Sequence, residues 1–156
     1  MRRELISLAL AAGLAGCGSK DAVSLSASIQ SPALEVATVA LGAKLSGSFD
    51  LRLELGARAE HGTEVTPEKF SLTSASGEVL VTTLAATAQE AFPLAVGVGE
   101  SKRVVFTLDD QALIDAALGV ALCRGPVVIR GSVTDTLSGS SSTPVASPPA
   151  SVAGCP

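Results

Sequence analysis

The 156-residue sequence predicts an all-β protein, an antiparallel sandwich of about seven strands with one short helix. Three observations carry this. Leu45, Gly47, Phe49, Leu51, Leu53 and Leu55 share one parity, while Ser46, Ser48, Asp50, Arg52 and Glu54 share the other. Successive strand residues face opposite sides of a sheet, so this segment is a long half-buried strand. Turn residues then punctuate the chain at short intervals, at Ala75-Ser76-Gly77 and again at Gly99-Glu100. A single short segment, Gln111–Leu118, has a helix start at Asp109 or Asp110 and a helix stop at Gly119.

The first element is a leader. Met1-Arg2-Arg3-Glu4 precedes an apolar run from Leu5 to Gly16. The run is shorter than the roughly 20 residues that cross a bilayer and has the proportions of a secretory signal peptide. Leu14-Ala15-Gly16-Cys17 resembles the lipobox of bacterial lipoproteins. That resemblance implies cleavage before Cys17, a diacylglycerol on its thiol and an acyl chain, such as palmitate, on the new amine. It makes Cys17 the lipidation site and the membrane a partner through N-terminal acyl chains, because more than one chain anchors stably. The expected location is the bacterial cell envelope. Gly18, where Asp would favour retention at the inner membrane of enteric bacteria, points to the outer membrane, facing the periplasm.

Residues 1–16 are thus assigned to the signal peptide, 17–31 to the lipidated cysteine and a tether, and 32–156 to the sandwich domain. Within the tether, "AVSLSASI" alternates and also fits a first edge strand. The mature chain of 140 residues suits one domain with its own core. It holds 9 basic and 14 acidic residues, a net charge of −5, and lacks the basic patch that nucleic acid requires. Cys123 and Cys155 then form an even pair in an exported chain, which reads as one disulfide. Closing a loop of about 33 residues contributes roughly 3–4 kcal/mol. There is no Trp and no Tyr, so the aromatic platforms used for sugars, peptides and single strands are absent, and the 4 Phe read mainly as core.

The remaining elements follow in order. After the long strand comes the polar, turn-rich "GARAEHGTEVTP". "EKFSLTS" and "EVLVTTL" flank Ala75-Ser76-Gly77 as a hairpin. "LAVGVGESKRVVFTLDD" reads as strand, turn and strand, with Val104, Phe106 and Leu108 on one face. "GPVVIRGSVTD" is a further strand. "SGSSSTPVASPPAS" reads as a loop and an irregular last strand, tied back by Cys155.

The order of these features resembles immunoglobulin-like sandwiches of the late-embryogenesis-abundant, water-stress type. The residues that carry it are Leu45–Leu55, Phe70-Ser71-Leu72, Gly77, Gly99-Glu100-Ser101, Val104-Val105-Phe106, Gln111–Leu118 and Val127–Thr134. The Asn-Pro that this family carries after the long strand is replaced by Gly56-Ala57-Arg58-Ala59. The resemblance implies an immunoglobulin-like topology and, as an alternative function, a protective role in stress.

Candidate chemistry is sparse. His61, the only histidine, lies near Glu60, Glu64 and Glu68 but lacks the further His or Cys that zinc or copper takes. Asp109, Asp110 and Asp115 lack calcium-loop spacing; the first two fit a helix cap and the third a solvated helix face. "VGVGES" lacks the Lys of a phosphate loop. Lys102 and Arg103, with Arg124 and Arg130, make a small cationic patch only if their strands are neighbours. The expectation is a non-catalytic, lipid-anchored envelope module with a binding or accessory role, with no catalytic residue, metal or cofactor, and with an unidentified envelope protein as partner. The binding reading predicts an exposed apolar patch or an open edge strand. The stress reading predicts a smooth polar surface.

Overall fold

The computed structural model describes residues 22–109, 113–139 and 141–155. The leader, Cys17 and Asp110 lie outside them. The described chain forms two sheets packed face to face, with twelve strands and one helix among the described residues. Seven of these strands have four residues or more, and the other five have two or three.

The first sheet is built on a hairpin of β1 (Leu25–Val39) and β2 (Gly42–Leu55), joined by Ala40-Leu41. β8 (Ser101–Leu108) pairs with β2, and β6 (Ala86–Ala88) closes that side. β12 (Val152–Ala153) runs parallel to β1, and β9 (Leu113–Ile114) pairs with the start of β2. The alternation of β2 is borne out: Leu51 and Leu53 are fully buried and Phe49 and Leu55 nearly so.

Of the two readings of "AVSLSASI", the first edge strand holds, and the boundary at residue 32 moves. Residues from Leu25 onward belong to the sheet, so the sandwich begins well before residue 32. What hides the continuation of this strand past Gln30 is a bulge. Before it Leu25 and Ile29 point inward; after it Leu34 and Val36 do. The register shifts between Gln30 and Ala33, where Ser31 takes a φ of 50° and Pro32 has no N–H to give the ladder. The opposing residue must be glycine. A Cβ on Gly47, whose φ is 147°, would lie 2.1 Å from the Ala33 carbonyl oxygen.

The second sheet is centred on β10 (Val127–Asp135). β4 (Ser71–Ser74) and β3 (Thr63–Pro67) lie end to end along one side of it, and β11 (Ser142–Ala146) pairs on the other. β5 (Val79–Val81) completes the expected hairpin with β4, and β7 (Leu94–Val96) flanks β3. The turn after β7 crosses between sheets: β7 belongs to the second and β8 to the first. The Gly97 N–H donates to the Glu100 carboxylate at 2.6 Å and Gly99 takes a φ of 72°, which tightens that crossing.

All four phenylalanines form one cluster between the sheets. Phe49 and Phe106 stack at 5.1 Å, Phe70 meets both edge-on at 4.9 and 5.0 Å, and Phe92 stacks on Phe106 at 6.0 Å. Offset and edge-on pairs add about 0.5–1.5 kcal/mol each beyond the area they bury. Gly131 makes room, because a Cβ there would come within 2.5 Å of the Phe70 ring.

The helix is displaced from its expected span. α1 covers Ala116–Leu122, not Gln111–Leu118. Leu113 and Ile114 are paired with β2, so their backbone groups are engaged in the sheet. Asp115 is the N-cap rather than a wet-face residue: its carboxylate accepts from the Ala117 N–H at 2.6 Å. Gly119 does not end the helix. It is buried within it, where a Cβ would lie 3.0 Å from the Ala43 methyl. Cys123 is the C-cap and is disulfide-bonded to Cys155, with Cα atoms 5.5 Å apart.

Candidate functional site

The strongest candidate surface is the end of the sandwich where β1 turns into β2. Three local features shape it. Gly119 lets α1 sit close to Ala43 and Val36. Gly42, with a φ of 147°, lets the hairpin pass the Ile114 carbonyl, which a Cβ would approach to 2.6 Å. The disulfide holds the C-terminal segment beside the helix. Together they leave an apolar groove of about 180 Å³, lined by Val36, Thr38, Ala43, Ala116, Val120 and Cys123. Three large apolar side chains are open to solvent at this end: Leu41 is 88% exposed, Val120 59% and Leu113 56%. Such residues have no packing role to explain them, and clustered exposure of this kind marks interaction surfaces. Leu41 and Val120 carried no signal in the sequence, because the turn at Leu41 was not placed and the expected helix ended before Val120.

A wider recess of about 640 Å³ lies between the β3–β4 connection and the segment before β7. Phe70, Phe92 and Phe106 line it, with Glu68, Lys69 and Glu90 among its polar groups. Glu68 is engaged, since its carboxylate accepts from the hydroxyls of Ser132 and Ser142. Among the described residues, none that lines the recess is a histidine, cysteine or serine.

The polar candidates are not brought together. His61 is exposed in the loop between β2 and β3 and makes no hydrogen bond or ion pair among the described residues. No three His, Cys, Asp or Glu lie close enough to hold a metal ion among the described residues. The condition for a cationic patch is not met. Lys102 and Arg103 lie on β8 and Arg130 on β10, which belong to different sheets. Arg103 pairs with Asp50 at 2.7 Å, Lys102 with Glu100 at 3.7 Å, and the Arg130 Nε donates to the Thr73 hydroxyl at 3.2 Å.

One polar constellation escaped the sequence reading. Asp135 ends β10 almost fully buried, and its Oδ1 accepts from the N–H groups of Leu137 and Ser138 at 2.9 and 2.8 Å and from the Thr63 hydroxyl at 3.4 Å. Thr136 adds a bond between hydroxyls with Thr63 at 3.0 Å. The Oδ2 of Asp135 is buried without a hydrogen-bond partner among the described residues. The legible signal was an Asp two residues before a Leu-Ser-Gly turn, a pattern in which the carboxylate bonds the following backbone. The cluster clamps the start of β3 to the end of β10.

No family model matches the chain, and no curated protein or solved structure is significantly similar to it. Among the described residues no helix is long and apolar enough to cross a membrane.

Proposed function

We propose that this chain is a lipid-anchored module of the bacterial cell envelope with a non-catalytic binding role. Cys17 carries the lipid, and the apolar end of the sandwich receives an apolar segment of another envelope protein. What supports this most is the distance from the groove of Ala22, the first described residue after Cys17. Cys17 lies five residues before Ala22. The carbonyls of Ala22 and Ser24 accept from Arg58 and Gly56, at the opposite end of the β1–β2 hairpin from Leu41. A strand of 15 residues spans about 50 Å, so the acyl chains attach far from the groove and leave it free for a partner. The groove is of a size for one or two aliphatic side chains. The stress-protein reading fits less well, because it calls for a smooth polar surface, and Leu41, Leu113 and Val120 interrupt one.

The test is the intact mass of the protein purified from its own membranes. The expected mass is that of residues 17–156 with the acylglycerol and amide-linked acyl groups, less two hydrogens for the disulfide. A lipid-free mass overturns the anchor.

A further inference from the structure

We infer that the N-terminal half of β1 is a self-association edge, at which a second copy of the chain pairs antiparallel about a twofold axis through Ala27. The edge is open. β12 pairs with Leu34 and Glu35 only, and Leu25–Gln30 pair with β2 on their inner side and with no other strand among the described residues. The direction of the free groups follows from two bonds. Gly56 and Arg58 donate to the carbonyls of Ser24 and Ala22, so even-numbered residues here face β2. Backbone direction alternates along an antiparallel strand, so Leu25, Ala27 and Ile29 turn their N–H and C=O groups outward.

Among the described residues the other edges are short or blunted and this one is not: β9 and β12 have two residues each, and the stretch of β8 that β6 does not pair carries Lys102 and Arg103. β5, β6 and β7 offer three residues each, and β11 carries Pro144 in its middle. From Ala22 to Ser31 there is neither proline nor charge, and the first charged residue of β1 is Glu35. In a mature chain of net charge −5, an uncharged run of this length at an edge stands out as a place where like copies approach without repulsion.

The run is also self-complementary. Leu25-Ser26-Ala27-Ser28-Ile29 has nearly the same pattern in both directions. Antiparallel pairing centred on Ala27 sets Leu25 opposite the partner's Ile29, Ser26 opposite the partner's Ser28, and Ala27 opposite the partner's Ala27. Apolar side chains then meet on the core face, where Leu25 and Ile29 are already buried, and serines meet on the solvent face. A twofold interface demands this self-complementarity. The bulge at Ser31 ends the run. The axis separates the two Ala22 residues by roughly 33 Å along the strands, which leaves both tethers within reach of one bilayer surface. The pairing does not require the lipid, so it stands or falls independently of the anchor.

Sedimentation of the full mature chain in density-matched detergent tests it, with three variants beside the wild type. The wild type is expected to sediment as a dimer. The double substitution Ser26→Glu with Ser28→Glu places carboxylates opposite one another twice across the axis and should weaken the dimer about tenfold or more. Ser26→Lys with Ser28→Glu sets a lysine opposite a glutamate twice and should restore it. Ala27→Pro removes an outward N–H without touching the ladder to β2, and should also yield monomer if the first variant folds poorly. A wild type that stays monomeric at millimolar concentration overturns the inference. So does a dimer indifferent to these changes, or a purified monomer whose β1 edge is occupied in membranes by a different protein.

Discussion

Asp50 sits on the polar side of β2, yet it is only 6% exposed, and it pairs with the Arg103 guanidinium. Arg103 itself is largely in solvent, so the pair is screened and holds little. Asp50→Ala is expected to lower stability by less than about 1 kcal/mol, read from urea unfolding midpoints. Leu51 is its opposite. It is fully buried, and Leu51→Ala should cost roughly 2–5 kcal/mol in the same assay. Leu51→Asp should abolish the fold, because it would bury an unpaired charge; a folded variant by near-ultraviolet circular dichroism would contradict the inward placement of this parity. Asp135→Ala would strip the acceptor from two part-buried N–H groups and a hydroxyl, at a cost of roughly 1–3 kcal/mol.

At the scale of elements, the β1–β2 hairpin and the helix set the candidate surfaces, and each depends on a glycine. Gly47→Ala forces a Cβ against the Ala33 carbonyl at a φ that side chains avoid. The expected loss is about 1–3 kcal/mol, with the bulge displaced. Gly119→Val should lift α1 from Ala43 and close the groove. Leu41→Ser, by contrast, changes a residue that is 88% exposed and should leave the melting temperature nearly unchanged. A substantial loss of stability on Leu41→Ser would mean that Leu41 packs within its own molecule, and the apolar end would lose its case as a binding surface.

Across the whole molecule, the disulfide joins the helix cap to the last residues of the chain over a sequence separation of 32. Cys123→Ser should therefore lower stability by roughly 3–4 kcal/mol in oxidised protein and by nothing further under reductant. Equal melting of wild type and variant in both conditions would remove the bond. The disulfide also keeps the C-terminal segment against β1, so its loss should loosen β12 and extend the open edge beyond Ser31. The sandwich itself rests on apolar burial from both sheets around the phenylalanine cluster, which no single edge strand supplies.

Much of this architecture was legible in the residues. The alternation of β2, the β4–β5 hairpin, the strand after Gly125 and the pairing of Cys123 with Cys155 follow from period-two burial, turn chemistry and cysteine count, all of which act locally or by composition. Other features depend on contacts far apart in sequence. The first part of β1 fitted an edge strand, but its continuation was obscured because the bulge switches the inward parity at Ser31. The helix moved because β2 captured Leu113 and Ile114. The arginines of β8 and β10 separated because strand order, not strand sequence, assigns a strand to a sheet. Long-range pairing settles register, sheet membership and which edge stays open, since those are the places where two distant segments compete for the same hydrogen bonds.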